Sequence, residues 1–425
     1  MASHSNRAVT LAVVVAALGY FVDVYDLILF GVVRTASLRD LGFTSRAELT
    51  EHGLFLLNMQ MGGMLAGGVL WGVLGDKRGR LSVLFGSIAL YSAANLANGF
   101  VESVESYAWC RLAAGIGLAG ELGAGITLVS ELMDRKARGI GTTIVATCGI
   151  FGGVIAGLVG GAIPGVGVHW RTAYFIGGGM GLALLVLRIG VVESGMFARL
   201  ARDSRVSRGN FFLLFTSWRR FGRYLAIIAV GVPVWYVMGI LMAFSPELGA
   251  ALGLAEAPSP ATALFLAYAG GTAGDLASGL LSQRLRSRRA ALAVFLSLTA
   301  AAVIAYFALG GTSLTVFYVV AVLGGIGIGY WAVFVSTAAE LFGTNLRATV
   351  ATTVPNFVRG SLVLLAIGFD VLRGPLGLIG AAIAVGVFAL GVAFAGLATL
   401  RETFGVDLDF HEDEPAPPAR TTSAA

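Results

Sequence analysis

Charged residues are scarce in this chain. Asp, Glu, Lys and Arg make up 12% of the 425 residues, whereas soluble domains contain about 25%. Hydrophobic residues make up 57%, and the mean hydropathy is +0.84. So few charges cannot cover a globular surface, which excludes a soluble protein and indicates an integral membrane protein. The 60 glycines favour closely packed membrane helices.

Cysteine and histidine are also rare. Cys110 and Cys148 lie in apolar stretches, which excludes a disulfide framework and a cysteine metal site. The pattern contains no pair of nucleophile and base, so we predict no enzyme activity, no metal and no cofactor, with the proton as coupling ion. All four histidines lie outside the apolar runs or at their edges: His4, His52, His169 and His411.

The apolar runs predict twelve transmembrane helices, because a bilayer core of about 30 Å needs about 20 residues of helix. With a cytoplasmic N-terminus, 22 of the 29 Lys and Arg residues lie on the cytoplasmic side. The positive-inside rule therefore predicts both termini in the cytoplasm, and these basic clusters indicate membrane topology rather than nucleic-acid binding. The spans are 9–33, 53–74, 82–100, 107–130, 141–165, 171–192, 223–245, 261–282, 290–310, 314–338, 349–372 and 376–399.

The chain repeats itself in two halves. Glu131 and Arg138 follow span 4 with the same spacing as Glu340 and Arg347 after span 10. Such a repeat predicts two pseudo-symmetric six-helix halves with the substrate site between them at the midplane. The predicted units are an N-terminal half at 1–192, a basic linker at 193–222, a C-terminal half at 223–400 and a disordered tail at 401–425.

Three motifs resemble those of the major facilitator superfamily. The run from Gly72 to Arg80 resembles the superfamily pattern G-x-L-(G/A)-D-(R/K)-x-G-R between spans 2 and 3. Arg111, with Gly115 and Gly117, resembles R-x-x-x-G-x-G of span 4. The run from Glu340 to Arg347 is similar to E-L-F-P-T-x-x-R of metabolite:proton symporters and sugar porters. The resemblance implies an all-α membrane protein that transports by alternating access.

The motif between spans 2 and 3 predicts a gate on the cytoplasmic side. Asp76 precedes the start of a helix, where exposed amides and the helix dipole favour a carboxylate. The neighbouring basic residues can bridge to the other half, although a loop that only sets the topology is the alternative. The predicted gating residues are Gly72, Asp76, Lys77, Arg78, Arg80, Glu131, Arg138, Glu340 and Arg347.

Two acidic residues lie near the middle of span 1. Asp23 and Asp26 are three residues apart and therefore share a face of the helix. Their run resembles the (D/E)-x-(Y/F)-D of metabolite and aromatic-acid proton symporters. Charge inside a membrane is functional by default, so we predict proton coupling here with Arg111 as the cationic partner; a permanent structural ion pair is the alternative. Glu121 in span 4 is a second proton site or a satisfied packing group.

Further charges and aromatic residues predict the substrate site. Arg359 in span 11 either clamps the anion of the substrate or neutralises Asp275 in span 8. Gly149, Gly153, Gly157 and Gly161 predict a close helix contact in span 5. The candidate substrate-binding residues are Arg359, Asn356, Asp275, Tyr268, Trp235, Tyr236, Tyr330 and Trp331.

The side-chain inventory favours a carboxylate over a sugar. Gln60 and Gln283 are the only glutamines, whereas recognition of several hydroxyl groups needs many side-chain donors and acceptors. We predict proton-coupled symport of a small organic anion by a monomer in a bacterial-type inner or plasma membrane. Sugar uptake is the second hypothesis and efflux the third, since Pro164 follows Ile163 rather than the glycine typical of drug antiporters. A transporter-like receptor is the alternative of another class.

Overall fold

A computed structural model of the chain describes residues 2–78, 80–121, 138–193 and 211–406. Within these ranges the regular elements are helices, and no strand occurs. The predicted all-α class is therefore confirmed. The α-helices are α1 (Ala2–Asp40), α2 (Arg46–Arg78), α3 (Arg80–Asn98), α4 (Val104–Leu118), α5 (Arg138–Val159), α6 (Trp170–Glu193), α7 (Trp218–Tyr236), α8 (Ser245–Ala251), α9 (Pro260–Leu285), α10 (Arg288–Leu309), α11 (Leu314–Ile328), α12 (Trp331–Glu340) and α13 (Thr344–Thr399).

The helices correspond to the twelve predicted spans. Among the described residues, seven segments are long and apolar enough to cross a membrane. The last of them, Thr349–Thr399, has 51 residues and bends at Gly377, whose φ of 68° breaks the helical geometry and separates spans 11 and 12. α9 is less apolar than these segments because it carries glycine, threonine and Asp275. Its inner face is nevertheless buried among other helices.

Three predicted boundaries change. α1 continues to Asp40, seven residues beyond the predicted end of span 1, and α7 begins at Trp218 inside the predicted linker. The predicted disordered tail does not start at residue 401, because Glu402 and Thr403 form hydrogen bonds with the C-terminal half. The rest of the predicted linker and tail, 194–210 and 407–425, lies outside the described residues.

Spans 4 and 10 are both interrupted near their middle. α4 ends at Leu118 and is followed by a turn at residues 119–120. α11 ends at Ile328, and α12 begins at Trp331 after a short non-helical step. The repeat offset from Glu131 to Glu340 carries Ala119 to Ile328, so the two interruptions occupy equivalent places in the two halves. Discontinuous helices of this kind line binding sites in transporters.

Span 7 also departs from a regular α-helix. α7 contains Pro233 and passes into a π-helical segment, Val237–Met242, which precedes the short helix α8. Proline removes a backbone donor and disturbs the preceding turn. Wider π-helical turns are frequent at functional sites.

Glycines of α5 bring the two halves together. An added Cβ would lie 1.9 Å from the Tyr20 ring at Gly149, 2.4 Å from the Tyr268 ring at Gly153 and 2.6 Å from Phe265 at Gly157. α5 therefore packs on α1 of its own half and on α9 of the other half. The fourth predicted member, Gly161, lies beyond α5 in a turn with φ of 91°, so it is not part of this contact.

Candidate functional site

A buried ion pair joins the two halves. Arg359 of α13 donates from Nη2 to Oδ2 of Asp23 of α1 over 2.9 Å, and the two side chains are 1% and 0% exposed. In this structure Arg359 therefore pairs with Asp23 and not with Asp275. Arg359 also lies over the Tyr20 ring, 5.9 Å from its centroid.

Neither partner of this ion pair uses its full bonding capacity. Nε and Nη1 of Arg359 and Oδ1 of Asp23 are buried and make no well-aligned hydrogen bond among the described residues, although the Tyr20 hydroxyl also lies near the guanidinium. A guanidinium group can bind a second planar carboxylate through such unused donors. The geometry therefore leaves Arg359 able to accept a further anion.

Asp26 lies one turn from Asp23, but it makes no comparable bond. Its side chain is 0% exposed, and neither carboxylate oxygen has a hydrogen-bond partner in the described part of the chain. Arg111 attracts Asp26 electrostatically, but its hydrogen bonds go to Gln60 Oε1 at 3.3 Å and Asn95 Oδ1 at 2.8 Å. The direct Asp26–Arg111 ion pair expected from the sequence does not form.

Glu121 has a cation of its own. Arg188 of α6 donates from Nη1 to its Oε2 over 3.0 Å and from Nη2 to its Oε1. Both side chains are buried, at 1% and 6% exposure. The geometry favours the satisfied packing group among the two predicted readings of Glu121, and its use as a proton site stays a prediction.

Asp275 caps the broken tenth span. Its Oδ1 accepts a hydrogen bond from the Ala332 amide at 2.8 Å, at the start of α12. Its Oδ2 accepts from the Thr147 hydroxyl of α5 at 3.4 Å. A carboxylate at a helix N-terminus satisfies amides that have no partner within the helix. Asp275 is therefore a capping residue that also touches the other half.

The predicted aromatic residues differ in whether their polar atoms already have hydrogen-bond partners. The Tyr236 hydroxyl donates to Ala382 O and the Tyr330 hydroxyl to Val230 O, both over 2.8 Å, so their polar ends are occupied. The indole Nε1 atoms of Trp235 and Trp331 are buried without a partner in the ranges described. Tyr268 lies against Gly153 of the other half.

Asn356 does not offer its amide hydrogens to a ligand. Nδ2 donates to Ala119 O at 2.7 Å, across the interface between the halves, and to Thr352 O at 3.0 Å. Its Oδ1 has no partner among the residues described. A substrate contact of Asn356 therefore stays a prediction, and in this structure its amide hydrogens are already used.

Side-chain contacts of the predicted gating residues are described only in the C-terminal half. Glu340 binds Arg288 at 3.1 Å and accepts from the Thr403 hydroxyl at 2.8 Å, and Arg347 donates to Ala339 O at 3.3 Å. These contacts stay within one half. Asp76 falls in the last turn of α2, whereas the helix dipole argument placed it just before a helix. Glu131 lies outside the described residues, and no side-chain contact is described for Asp76, Lys77, Arg78, Arg80 and Arg138 or for the surroundings of Gly72. The cytoplasmic gate therefore stays a prediction.

Sequence reasoning missed a second ion pair between the halves. Arg34, at the end of α1 predicted to face outside, donates from Nη2 to both Glu247 oxygens, at 2.8 and 2.9 Å, and from Nη1 to Leu49 O at 2.9 Å. Its guanidinium lies 4.2 Å from the Phe244 ring centroid. Arg34 and Glu247 are 1% and 6% exposed. The signal in the sequence was an arginine directly after an apolar span and a lone glutamate in the apolar run after span 7.

Comparisons with known proteins agree with this architecture. A family model described as Major Facilitator Superfamily matches residues 16–367. The probable 4-methylmuconolactone transporter of Cupriavidus pinatubonensis is 29% identical over 406 residues, covering 92% of this chain and 90% of that protein. The 3-(3-hydroxy-phenyl)propionate transporter of Escherichia coli is 27% identical over 350 residues, covering 80% of each.

A solved structure has the same fold. The major facilitator superfamily proton:xylose symporter bound to 6-bromo-6-deoxy-D-glucose superposes with a TM-score of 0.69 at 14% identity. The match covers 95% of this chain and 98% of the symporter. At this identity the match shows the fold alone, with its two six-helix halves.

Proposed function

This chain belongs to the major facilitator superfamily, and we propose that it is a proton-coupled symporter of a small organic carboxylate. It is a membrane transporter and not an enzyme. The two relatives described above are named as a probable 4-methylmuconolactone transporter and a 3-(3-hydroxy-phenyl)propionate transporter. The observation that carries the proposal is the buried Asp23–Arg359 pair, with two unused nitrogens on Arg359.

Arg359 binds the substrate carboxylate in this proposal. It is held at the junction of the halves, and its unused donors suit a planar anion better than a sugar hydroxyl. The unpaired indole donors of Trp235 and Trp331 are further groups for an aromatic or polar substrate body. A sugar would leave the buried charge of Arg359 without a new counterion.

The proton compensates for the charge that the substrate brings. A carboxylate bound to Arg359 competes with Asp23 for the same cation, and an unpaired buried anion is costly. A proton on the acidic turn of α1 removes that cost. Asp26 is the proton carrier in this proposal, because its buried oxygens have no partner within the described ranges. Asp23 releases Arg359 to the substrate carboxylate when the substrate binds.

The inner faces of the two halves must open in turn. Arg34–Glu247 closes the side that we assign to the outside, in agreement with the positive-inside arrangement of the basic residues. We place both termini in the cytoplasm of a bacterial-type cell, with the protein in its inner or plasma membrane. Each chain carries a complete site, so we propose that it acts as a monomer.

The test is uptake into proteoliposomes with an imposed proton gradient. A thermal-shift screen of the purified protein against aromatic and aliphatic carboxylates, sugars and cationic drugs first selects the ligand. We expect a carboxylate to accumulate only when the gradient points inward, and Arg359→Lys to weaken its binding because the planar fork is lost. Saturable sugar accumulation, without competition by any carboxylate, would overturn the proposal.

A further inference from the structure

The broken fourth span of the N-terminal half ends in carbonyl groups that need external donors. The last four carbonyls of a helix have no partner within it. Trp71 of α2 donates from Nε1 to Ile116 O over 2.6 Å, within the same half. Ala119 O is the first carbonyl beyond α4, and its side-chain donor is Nδ2 of Asn356 from the other half, at 2.7 Å.

The equivalent break in the C-terminal half is satisfied differently. Asp275 of α9 caps α12 through the Ala332 amide, and both belong to that half. The contribution from the other half is the Thr147 hydroxyl, at the longer distance of 3.4 Å. The repeat offset from Glu131 to Glu340 carries Thr147 to Asn356. The same position on the fifth helix of each half therefore reaches the break in the opposite half.

A glycine makes room for the Asn356 contact. The offset from Gly72 to Gly279 carries Gly68 to Asp275, so the N-terminal half has a glycine where the C-terminal half has its capping acid. A Cβ on Gly68 would lie 3.3 Å from Asn356 Cβ and 3.6 Å from its Nδ2. At this position the N-terminal half thus has no side chain of its own, and the side-chain donor described for Ala119 O comes from the other half.

We propose that Asn356 fastens the broken fourth span to the C-terminal half and holds the cytoplasmic side of the transporter closed. When the halves separate on that side, water can hydrate Ala119 O. When they meet without Asn356, the buried Ala119 O loses its side-chain donor, which disfavours closure. Asn356 is a positioning residue in this role. The inference rests on the alternating access of the proposed function and on neither the substrate nor the proton.

The experiment measures access to each side of the protein without substrate. In a background with Cys110 and Cys148 replaced by serine, one reporter is Thr352→Cys, one turn from Asn356 towards the cytoplasmic end. The second reporter is Leu264→Cys, which lies against Gly31 at the opposite end. We expect Asn356→Leu to raise the labelling rate at residue 352 by roughly 5- to 150-fold, the range for one unsatisfied buried group, and to lower or leave unchanged the rate at residue 264.

A second variant and two controls keep the result interpretable if Asn356→Leu folds poorly. Gly68→Val displaces the Asn356 amide without altering it and should raise labelling in the same direction. Gly62→Ala adds a methyl group on the same helix with no atom within 4 Å of it, and should change nothing. Thr147→Val removes the weaker contact and should have a smaller effect than Asn356→Leu.

Unchanged labelling at residue 352 in the folded Gly68→Val and Asn356→Leu variants overturns the proposal. An effect of Thr147→Val equal to that of Asn356→Leu overturns it as well, because the two contacts would then be interchangeable. Since no substrate is present, the outcome is independent of whether carboxylates are transported. The experiment therefore distinguishes failure of the proposed Asn356 contact from failure of the proposed function.

Discussion

The two ends of the interface between the halves are closed by different chemistry. At the end assigned to the outside, Arg34 and Glu247 form a buried ion pair with two short contacts. Towards the cytoplasm, the described contacts across the interface are the Asn356 amide on Ala119 O and the Thr147 hydroxyl on Asp275. Breaking a buried ion pair exposes two charges, whereas the inner contacts release groups that water readily satisfies. The outer closure therefore depends on charge in a way that these inner contacts do not.

The largest expected effect comes from removing one charge at the outer end. Arg34→Leu leaves Glu247 buried without a cation, which costs about 3–5 kcal/mol in such settings. We expect a lower thermal unfolding midpoint and faster labelling of Leu264→Cys. Arg34→Leu with Glu247→Leu should recover most of the midpoint, since no buried charge is left unpaired. A double variant as unstable as the single one would show that the pair is not a charge-dependent closure.

The ion pair at the midplane should behave similarly but with a smaller loss. Arg359→Ala leaves Asp23 buried without its cation, and we expect a destabilisation near the lower end of about 3–5 kcal/mol, because one hydrogen bond joins this pair. Adding Asp23→Ala should restore yield and the unfolding midpoint but not carboxylate binding, because the anion site is gone. Asp275→Ala serves as the matched control and should not restore stability. Restoration by Asp275→Ala would contradict the observed pairing.

Replacing Asp26 should change proton-driven transport while leaving stability almost unchanged. Asp26→Asn removes a charge that makes no hydrogen bond with the described residues, so we expect a change in stability of about 1 kcal/mol or less. Substrate exchange across proteoliposomes should continue, while accumulation driven by an inward proton gradient disappears. If Asp26→Asn and Asp23→Asn both still accumulate substrate, the proton does not bind on α1 and Glu121 becomes the next candidate.

The smallest effect is expected at Glu402, outside the membrane spans. Burial disfavours its charged form, but hydrogen bonds from the Ser287 hydroxyl and the amides of Phe404, Arg288 and Thr403 outweigh it and lower the pKa of Glu402 from 4.5 to about 2. A lowered pKa in the folded state gives stability that is present above about pH 4.5 and is lost as the pH falls towards 2.

Because Glu402 is exposed, solvent screening limits this contribution to under about 1 kcal/mol. Between pH 6 and pH 3 the unfolding midpoint of Glu402→Gln should fall slightly less than that of the unchanged protein. Identical pH profiles would mean that these bonds do not stabilise the cap of α10.

The sequence predicts which charged residues are functional candidates, but it does not predict which of them form ion pairs with each other. Charges inside apolar spans are conspicuous, so Asp23, Asp26, Arg111 and Arg359 could be chosen as candidates. Asp23 and Arg359 are 336 residues apart, and their contact depends on how two separate halves pack. Arg34 follows an apolar span, where a basic residue normally sets topology, so the sequence alone does not mark it as an interface residue.

The role of Asp275 was also hidden in the sequence. A capping carboxylate can be recognised only when the helix start that it caps is known, and the interruption at Gly329 and Tyr330 occurs within a continuous apolar run. The repeat motifs around Glu131 and Glu340 nevertheless fixed the offset between the halves. With that offset the interruptions of spans 4 and 10 can be compared, and their hydrogen-bond partners differ.

The π-helical segment Val237–Met242 ends five residues before Glu247. A π-helical turn contains a surplus residue relative to an α-helical one. Returning this segment to α-helical winding would shift the following residues by one position, which is a rotation of about 100° around the helix axis. Such a rewinding would swing Glu247 away from Arg34 with no bending of α1. The winding of span 7 therefore decides which way Glu247 faces, and with it whether Glu247 can reach Arg34.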